Sequence, residues 1–354
     1  MSRSNKYSND KIVWFPEKLA SFRDNKITAP IYVRVKPTNR CPHSCNFCAY
    51  GHGEWSSGMH EGMDARAVIP RAKMLETLWD FQEMGVKALT FSGGGEPLTH
   101  PDITEFMLLT LNYKIALSII TNGNQLENRR AEILAQAHWV RVSVDYTTAE
   151  QMAETRKIMP DNFGRILGNI AAFAKIKDDS CDLGVNYITT RDNYRGLAEF
   201  AKRLKGCGVD NLRVSPVWRP DFQEYHAPIA DAVRAEIEAA QKLADNNFSV
   251  YSSYDLESSS HSIERGYHKC YFTQMVPVVG ADQMVYHCHN TAFSDHGVIG
   301  SIKEQSFKQL WFSDEAKAAF ERLDPSRQCL HQCAADSKNH NIAGFLEAYG
   351  DSFV

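Results

Sequence analysis

The sequence predicts an α/β protein: a partial (β/α)6 TIM-like barrel followed by a small, cysteine-rich C-terminal domain. Three observations support this prediction. Six short runs rich in β-branched and apolar residues alternate with stretches that have the spacing of amphipathic helices. Polar motifs follow four successive strands of this series. Four of the nine cysteines lie beyond residue 265, where the strand–helix alternation has ended.

The predicted strands and helices alternate along the first two thirds of the chain. The strands are predicted at 31–35, 88–92, 117–121, 140–145, 183–189 and 212–217, and the clearest helices at 66–84, 126–138, 163–176 and 195–205. Such alternation builds a parallel sheet, either as an open barrel or as a doubly wound sheet. The carboxyl ends of barrel strands converge on one mouth, whereas doubly wound sheets place ligands at a switch point. The four strand-end motifs therefore favour the barrel.

The alternation of predicted strands and helices changes near residue 225, and this change divides the chain. A long amphipathic helix at 228–245 leads to a serine-rich connector at 252–262, so we place a domain boundary near residue 255. The predicted segments are an N-terminal extension (1–30), the barrel (31–250), the cysteine-rich domain (255–340) and a C-terminal tail (341–354).

Composition narrows the class of protein. The 354 residues carry a formal charge of −4, and no basic stretch is dense enough to predict nucleic-acid binding. The longest apolar runs are too short to span a bilayer, and no signal peptide opens the chain. We therefore expect a cytoplasmic enzyme without a membrane partner. In a reducing compartment, metal-binding or catalytic cysteines are more common than disulfides.

The first cysteine set follows the first predicted strand. Cys41, Cys45 and Cys48 form a C-x3-C-x2-C run with no further cysteine before Cys181. A [4Fe–4S] cluster normally takes four thiolates, so three would leave one iron open to a substrate or cofactor. The spacing alone leaves two alternatives, which are a zinc half-site that includes His43 and a redox dithiol.

Other residues of the same predicted mouth accompany these cysteines. Phe47 places a ring beside the last cysteine. The run GGGEP at 93–97 ends the second strand, where glycines allow close approach to the backbone and Glu96 can accept an ammonium group. Thr121-Asn122-Gly123 ends the third strand, and Ser143-Val144-Asp145 ends the fourth strand.

These motifs together resemble the radical S-adenosylmethionine (SAM) superfamily. The resemblance implies that the three cysteines bind a [4Fe–4S] cluster whose open iron chelates the amino and carboxylate groups of SAM. It assigns cofactor-binding roles to Phe47 at the adenine, to Gly94, Gly95 and Glu96 at the methionine amino group, to Ser143 as the serine of strand four, and to Arg156 at the methionine carboxylate. Near Arg156 the chain departs from the family pattern, because Tyr146 and Lys157 replace glycines. An exposed charge on a helix is the alternative interpretation of Arg156.

The second cysteine set lies in the C-terminal domain. Cys270 and Cys288 flank a predicted hairpin that turns at Gly280-Ala281-Asp282, and a predicted helix at 299–323 returns Cys329 and Cys333. Four thiolates can complete either a [4Fe–4S] cluster or a structural zinc site, and the spacing alone does not choose.

A second resemblance favours the cluster. Three segments resemble the twitch form of the SPASM auxiliary-cluster domain of this superfamily: ADQMVYHC, GSIKEQSFKQLW and CLHQC. The last pair of cysteines has three intervening residues instead of two. The resemblance implies that Cys270, Cys288, Cys329 and Cys333 hold an auxiliary [4Fe–4S] cluster. The neighbouring His287 and His289 are possible substitute ligands, but we expect them to act outside the ligand set. We interpret Cys181 and Cys207 as core residues.

Two clusters of this kind imply an oxidation started by a 5′-deoxyadenosyl radical. The cysteine spacing is near that of the aminocyclitol dehydrogenase of the superfamily. The main prediction is therefore dehydrogenase-type oxidation of a small polar molecule by a radical SAM oxidoreductase, with a flavodoxin- or ferredoxin-type electron donor.

Two other functions stay open. The first is crosslinking or epimerisation of a ribosomally made peptide, although the roughly thirty residues before the first strand are too few for a leader-binding domain. The second is a non-enzymatic iron–sulfur electron carrier, against which GGGEP argues. The general base is not identified. Candidates at strand ends are Tyr146, Asn186, Tyr187, Arg213, Ser215, Trp218 and Arg219.

Overall fold

One sheet of ten strands organises the chain. The computed structural model describes residues 9–50, 62–219, 221–255, 265–329, 333 and 335–348. The strands are β1 (Tyr32–Val35), β2 (Ala88–Phe91), β3 (Ala116–Thr121), β4 (Trp139–Ser143), β5 (Asp182–Thr189), β6 (Asn211–Pro216), β7 (Ser249–Ser252), β8 (Val278–Val279), β9 (Met284–Tyr286) and β10 (Val298–Ser301). Their order in the sheet is β10-β9-β8-β1-β2-β3-β4-β5-β6-β7.

Helices connect and cover these strands. The α-helices are α1 (Pro16–Arg23), α2 (Arg71–Met84), α3 (Ile103–Asn112), α4 (Asn128–Leu134), α5 (Ala149–Arg156), α6 (Asn162–Ile176), α7 (Leu197–Gly206), α8 (Phe222–His226), α9 (Ala230–Gln241), α10 (Phe307–Trp311), α11 (Asp314–Arg322), α12 (Pro325–Gln328) and α13 (Asp336–Glu347). Short 3₁₀ helices lie at Asn9–Trp14, Pro97–Thr99, Ala227–Ile229, Phe272–Gln274 and Asp295–Gly297. None of the helices within the described ranges is long and apolar enough to cross a membrane.

The pairing of β1 to β7 confirms the predicted TIM-like partial barrel. Each of these strands pairs in parallel with the next one along the chain. Alternate residues such as Val140 and Val142 are fully buried in the main core, whereas Arg141 and Ser143, which follow each of them, are only half-buried. This alternation separates a helix-covered face from an inner face that carries polar side chains.

Several elements differ from the predictions. The barrel sheet has a seventh strand, β7, and the sequence analysis missed α3 and α5. The single helix predicted at 299–323 is wrong. Its first residues form β10, which pairs with β9, and two separate helices follow. Ser306 and Ser313 each cap a helix N-terminus with the side-chain oxygen, which is why the segment breaks into α10 and α11.

The C-terminal segment continues the barrel sheet. β8 pairs in parallel with β1, and the predicted hairpin is present because β9 pairs antiparallel with β8. The N-terminal extension also packs here, since Leu19 and Phe22 of α1 form a separate apolar cluster with Met275, Val276 and Ile342. The predicted connector at 252–262 lies partly outside the described residues, and the domain boundary near 255 stays a prediction.

Candidate functional site

The cysteine loop after β1 rests on the C-terminal end of α5. The backbone N–H of Ser44 donates to the carbonyl of Arg156 at 3.0 Å, and the N–H of Asn46 donates to the carbonyl of Thr155 at 3.1 Å. The last carbonyls of a helix have no partner within the helix, so they are free to accept these bonds. The end of α5 therefore holds the loop that carries Cys41, Cys45 and Cys48.

The GGGEP run packs directly on the segment that leads into this loop. The N–H of Gly95 donates to Thr38 O at 3.0 Å, and the N–H of Glu96 donates to Arg40 O at 2.9 Å. A Cβ atom on Gly94 would lie 2.0 Å from Asn39 Oδ1, and one on Gly95 would lie 2.1 Å from Arg40 O. Only glycine permits this approach, because any side chain would collide with the neighbouring segment.

Glu96 is a buried carboxylate fixed by three donors. It accepts from Leu98 N–H at 3.0 Å, from the Thr121 hydroxyl at 2.7 Å and from Asn122 N–H at 2.7 Å. Burial raises the pKa of Glu96, while the donors from Asn122 and Thr121 oppose that rise by stabilising the charged form. An ionised carboxylate offers about four acceptor positions, so one remains for a further donor such as an ammonium group.

Arg156 is buried beside the cysteine loop and forms an ion pair with Asp145. The exposed fractions of the two residues are 5% and 1%, so the interpretation of Arg156 as an exposed helix charge is wrong. Arg156 also donates to Ser143 O at 3.3 Å, and its guanidinium carbon lies 5.9 Å from the centre of the Phe47 ring. The structure thus brings Ser143, Arg156 and Phe47 together at the end of β4.

Unpaired polar atoms surround this region. Eight buried side-chain atoms near the cysteine loop and the ends of β2 to β4 have no hydrogen-bond partner: Asn39 Oδ1, His43 Nδ1, Asn46 Oδ1, Asn122 Nδ2, Asn124 Oδ1, Gln125 Oε1, Tyr146 Oη and Arg156 Nε. Burying so many unpaired groups is costly unless a ligand satisfies them. The set contains donors and acceptors, as a ligand with amino, carboxylate, ribose and adenine groups requires. The site therefore fits SAM.

The three thiols of the first set lie within electrostatic reach of one another. Burial raises the pKa of Cys41 to about 12, with smaller contributions from Glu96, Cys45 and Cys48. Burial also raises the pKa of Cys45, and Arg156 opposes that rise. His43, the alternative zinc ligand, instead hydrogen-bonds Asn124 through Nε2 at 2.8 Å, and burial lowers its pKa to about 3.

The second set brings four thiols together in the C-terminal segment. Burial raises the pKa of Cys270 to about 12, with further contributions from Cys288 and Cys333. The pKa of Cys329 is raised to about 12 by burial and then by the other three thiols. The unusual C-x3-C spacing therefore still brings both members of the last pair to one place. The His287 ring forms a hydrogen bond outside the set of four thiols, because its Nδ1 pairs with the Thr273 hydroxyl at 2.7 Å.

No single-ion site is preformed among the cysteines, histidines and carboxylates of the described ranges, because no three of them are arranged to hold one metal ion. An iron–sulfur cluster makes a different demand, since each thiolate binds a separate iron atom. The donor chemistry of both sets, thiols without carboxylates, fits such a cluster.

Sequence reasoning missed a lysine that joins the two halves of the site. Lys36, fully buried after β1, donates to the Tyr50 hydroxyl at 2.8 Å and to the Gly93 carbonyl. The Tyr50 hydroxyl in turn donates to His289 O at 3.2 Å. Burial lowers the pKa of Lys36 to about 7. A lysine after a strand gives no sequence signal of burial.

The candidates for a general base lie in different places, and only some of them are on the inner face. Asn186, Arg213 and Ser215 are half-buried at alternating positions of β5 and β6 and lie on the inner face, with Asn186 paired to both Ser143 and Arg213. Tyr187 is buried on the other face and donates to Asn193 O. Tyr146 is buried against Phe163, while Trp218 and Arg219 lie beyond the end of β6. As expected, Cys181 is buried in the hydrophobic core, and Cys207 packs against that core.

Comparison with known proteins agrees with this geometry. The family profile described as the radical SAM superfamily matches residues 35–201, and the profile described as an iron–sulfur cluster-binding domain, SPASM, matches residues 270–335. Residues 35–201 therefore form a radical SAM domain, and residues 270–335 form a SPASM-type cluster-binding domain. Its cofactors are SAM, a SAM-binding [4Fe–4S] cluster and auxiliary iron–sulfur bound by the second domain.

Individual relatives are distant but cover most of the chain. The tungsten-containing aldehyde ferredoxin oxidoreductase cofactor-modifying protein of Pyrococcus furiosus is 28% identical over 308 residues, which cover 80% of this chain and 81% of that protein. The PqqA peptide cyclase of Ruegeria pomeroyi is 22% identical over 336 residues, or 90% and 83% of the two chains. The match to the cyclase of Gluconobacter oxydans spans only 49% of that enzyme.

Solved structures show the same fold. Streptococcus suis SuiB bound to S-adenosylmethionine has a TM-score of 0.64 at 17% identity and covers 86% of this chain and 70% of its own. The complex of SuiB with its precursor peptide SuiA has a TM-score of 0.62 at 18% identity, with coverages of 87% and 70%.

Proposed function

We propose that this chain is a radical SAM enzyme that modifies a peptide by hydrogen abstraction followed by oxidation. The observation that carries this proposal is the similarity to a PqqA peptide cyclase, which extends over 90% of the chain. The fold of SuiB with its bound precursor peptide adds support. None of the matches described above supports dehydrogenation of a small molecule, which the cysteine spacing had suggested.

The first site would hold the SAM-binding cluster and SAM. Cys41, Cys45 and Cys48 would bind three irons, and the cofactor supplies a 5′-deoxyadenosyl radical when it is bound and reduced. Glu96 would accept the methionine ammonium in its remaining acceptor position. Arg156 would share its guanidinium between Asp145 and the methionine carboxylate, with Nε as the unused donor. Gly94 and Gly95 would keep that pocket narrow, and Phe47 and Ser143 would border it.

The inner face of the barrel would receive the peptide. Ser143, Asn186 and Arg213 lie side by side in register across β4, β5 and β6, on the same face and next to the end of β4 that carries the SAM site. Their hydroxyl, amide and guanidinium groups can orient a peptide segment by hydrogen bonds. The cationic group of Arg213 would favour a segment with an acidic side chain.

The second site would accept an electron. A two-electron oxidation of the peptide releases one hydrogen atom to the adenosyl group, one proton to a base and one electron. Cys270, Cys288, Cys329 and Cys333 would hold the cluster that receives this electron. Because four thiolates saturate a [4Fe–4S] cluster, we expect this cluster to exchange electrons only and not to bind substrate.

The test is anaerobic turnover with candidate peptides. Purified protein with both clusters is reduced by a flavodoxin or ferredoxin, supplied with SAM and incubated with short peptides encoded beside its gene. We expect 5′-deoxyadenosine formation and a product peptide that has lost two hydrogen atoms. Epimerisation would instead leave the mass unchanged in ordinary water and incorporate solvent deuterium in heavy water.

Three variants separate the steps. Cys41→Ala should abolish SAM cleavage, whereas Cys329→Ala should retain cleavage and lose the oxidised product. Arg213→Gln should retain cleavage and weaken the stimulation by peptide. Cleavage that no peptide stimulates, together with oxidation of a small polar metabolite, would overturn the proposal in favour of dehydrogenation. A protein that does not cleave SAM would be an electron carrier.

A further inference from the structure

We infer that Asn339, on the C-terminal helix α13, belongs to the auxiliary iron–sulfur site and raises the reduction potential of its cluster through an N–H···S bond to Cys270. The matched SPASM profile ends at residue 335, so Asn339 lies outside the family's cluster-binding segment. Sequence reasoning divided this helix between the cluster domain and a C-terminal tail. The inference concerns the cluster itself and is independent of the substrate.

The position of Asn339 is fixed by its contacts. The residue is 1% exposed, and its Nδ2 atom lies 3.4 Å from Cys270 Sγ and 3.4 Å from the Tyr267 hydroxyl. The backbone N–H of Phe272 donates to Oδ1 at 3.0 Å. Of the two ends of the amide, only the oxygen can accept from the Phe272 N–H, so this bond orients the NH₂ group toward the sulfur.

Contacts on both sides of Asn339 fix the position of the helix. At the N-terminal end, Asp336 pairs with the buried Arg265 at 3.0 Å and accepts from the Tyr267 hydroxyl at 2.8 Å. Further along, Ile342 packs in the apolar cluster with α1. Asn339 lies between these anchors, and burial and the bond from the Phe272 N–H hold its amide toward Cys270.

The charges near this site do not replace the effect of the amide. Arg265 and Asp336 form an ion pair at 3.0 Å, so their opposite charges oppose each other at this site. Asn339 is neutral and its N–H dipole is directed at a sulfur. A reduced cluster carries one more electron than an oxidised one, so its sulfurs accept a stronger hydrogen bond. The bond therefore stabilises the reduced form and shifts the potential upward.

The experiment measures the midpoint potential of each cluster by redox titration followed by EPR, in protein that retains both clusters. Asn339→Leu removes the donor at nearly constant volume and should shift the auxiliary cluster to a more negative potential. Asn339→Asp replaces the donor by a carboxylate and should shift the potential of the auxiliary cluster further in the negative direction. The potential of the SAM-binding cluster should stay constant and serves as the internal reference.

Tyr267→Phe is the matched control. It removes the other partner of Nδ2 and the bond to Asp336 but leaves the N–H···S bond, so the auxiliary potential should not change. An unchanged potential in Asn339→Leu, or an equal shift in Tyr267→Phe, would overturn the inference. If Asn339→Leu loses the cluster, a second measurement tests the inference. It uses wild-type protein that carries nitrogen-15 in the asparagine side-chain amides. Pulsed EPR of the reduced auxiliary cluster should detect that nitrogen, and its absence would also overturn the inference.

Discussion

Single glycines decide whether the first cysteine set can form. Gly95 is the clearest case, because a Cβ atom there would lie 2.1 Å from Arg40 O and 2.4 Å from Asn39 C. Both are backbone atoms of the segment that enters the cysteine loop, so neither can move without moving Cys41. We predict that Gly95→Ala displaces the loop and lowers the iron content by about half, since each [4Fe–4S] cluster carries the same number of irons.

Iron and sulfide analysis with EPR checks this prediction. Gly164→Ala is the control, because a Cβ atom on that α6 residue meets nothing within 4 Å. The control should keep both clusters. Full retention of the SAM-binding cluster in Gly95→Ala would contradict the assignment of the GGGEP contact.

At the scale of residues, the sequence indicates those that carry chemistry but not those that support them. Cys41, Glu96 and Gly95 are recognisable because thiols, a carboxylate and glycines follow strands in a known pattern. The pairing of Asp145 with Arg156 and the burial of Lys36 are not recognisable in the sequence. Each depends on a partner brought close by the fold, and the ring of Phe293, which lies 5.9 Å from Lys36, is distant in sequence.

The helix α5 shows how one element positions the site. It ends at Arg156, and Lys157 follows with φ 55° in the left-handed region, where glycine is preferred. The superfamily pattern has a glycine at this position, so the structure gives a physical reason for that preference. We predict that Lys157→Gly raises the free energy of unfolding by about 0.5–1 kcal/mol, because glycine adopts this conformation without a Cβ penalty.

Thermal or urea unfolding of the protein with both clusters measures this change. Lys157→Ala removes the charge but keeps the Cβ atom and should leave stability nearly constant. A gain in Lys157→Ala equal to that in Lys157→Gly would attribute the effect to charge and would contradict the conformational argument.

At the scale of elements, the strand–helix order of the barrel was predictable and the C-terminal order was only partly so. Strands such as β1 and β4 have buried valines at alternate positions, which produce a clear period of two. The segment VIGS at β10 is too short for any period, and its strand state depends on pairing with β9. The break between α10 and α11 was visible in principle, because Ser306 and Ser313 are typical N-cap residues.

In the whole molecule, a continuous sheet and a buried polar contact join the two cysteine sets. β8 pairs with β1, so the strand before the first cysteine loop borders the hairpin that precedes Cys288. Lys36 then links three segments, because it donates to the Gly93 carbonyl and to Tyr50, and Tyr50 donates to His289 O. The ammonium also lies 4.0 Å from the centre of the Tyr50 ring. The contact thus connects the GGGEP run, the cysteine loop and the C-terminal domain.

We predict that Tyr50→Phe loosens this connection without unfolding either part. The variant keeps the aromatic ring over Lys36 but removes the hydrogen bonds that join the hydroxyl to Lys36 and to His289 O. Losing such bonds costs about 1–2 kcal/mol, which corresponds to roughly 5- to 30-fold faster local opening.

Hydrogen exchange should therefore accelerate in the cysteine loop and at His287, whose N–H donates to Gly297 O at 2.9 Å, and stay constant in α6. Tyr113→Phe, at the surface against Trp79, is the control and should change neither region. Acceleration confined to the cysteine loop would show that Tyr50 supports that loop alone and does not couple it to the C-terminal domain.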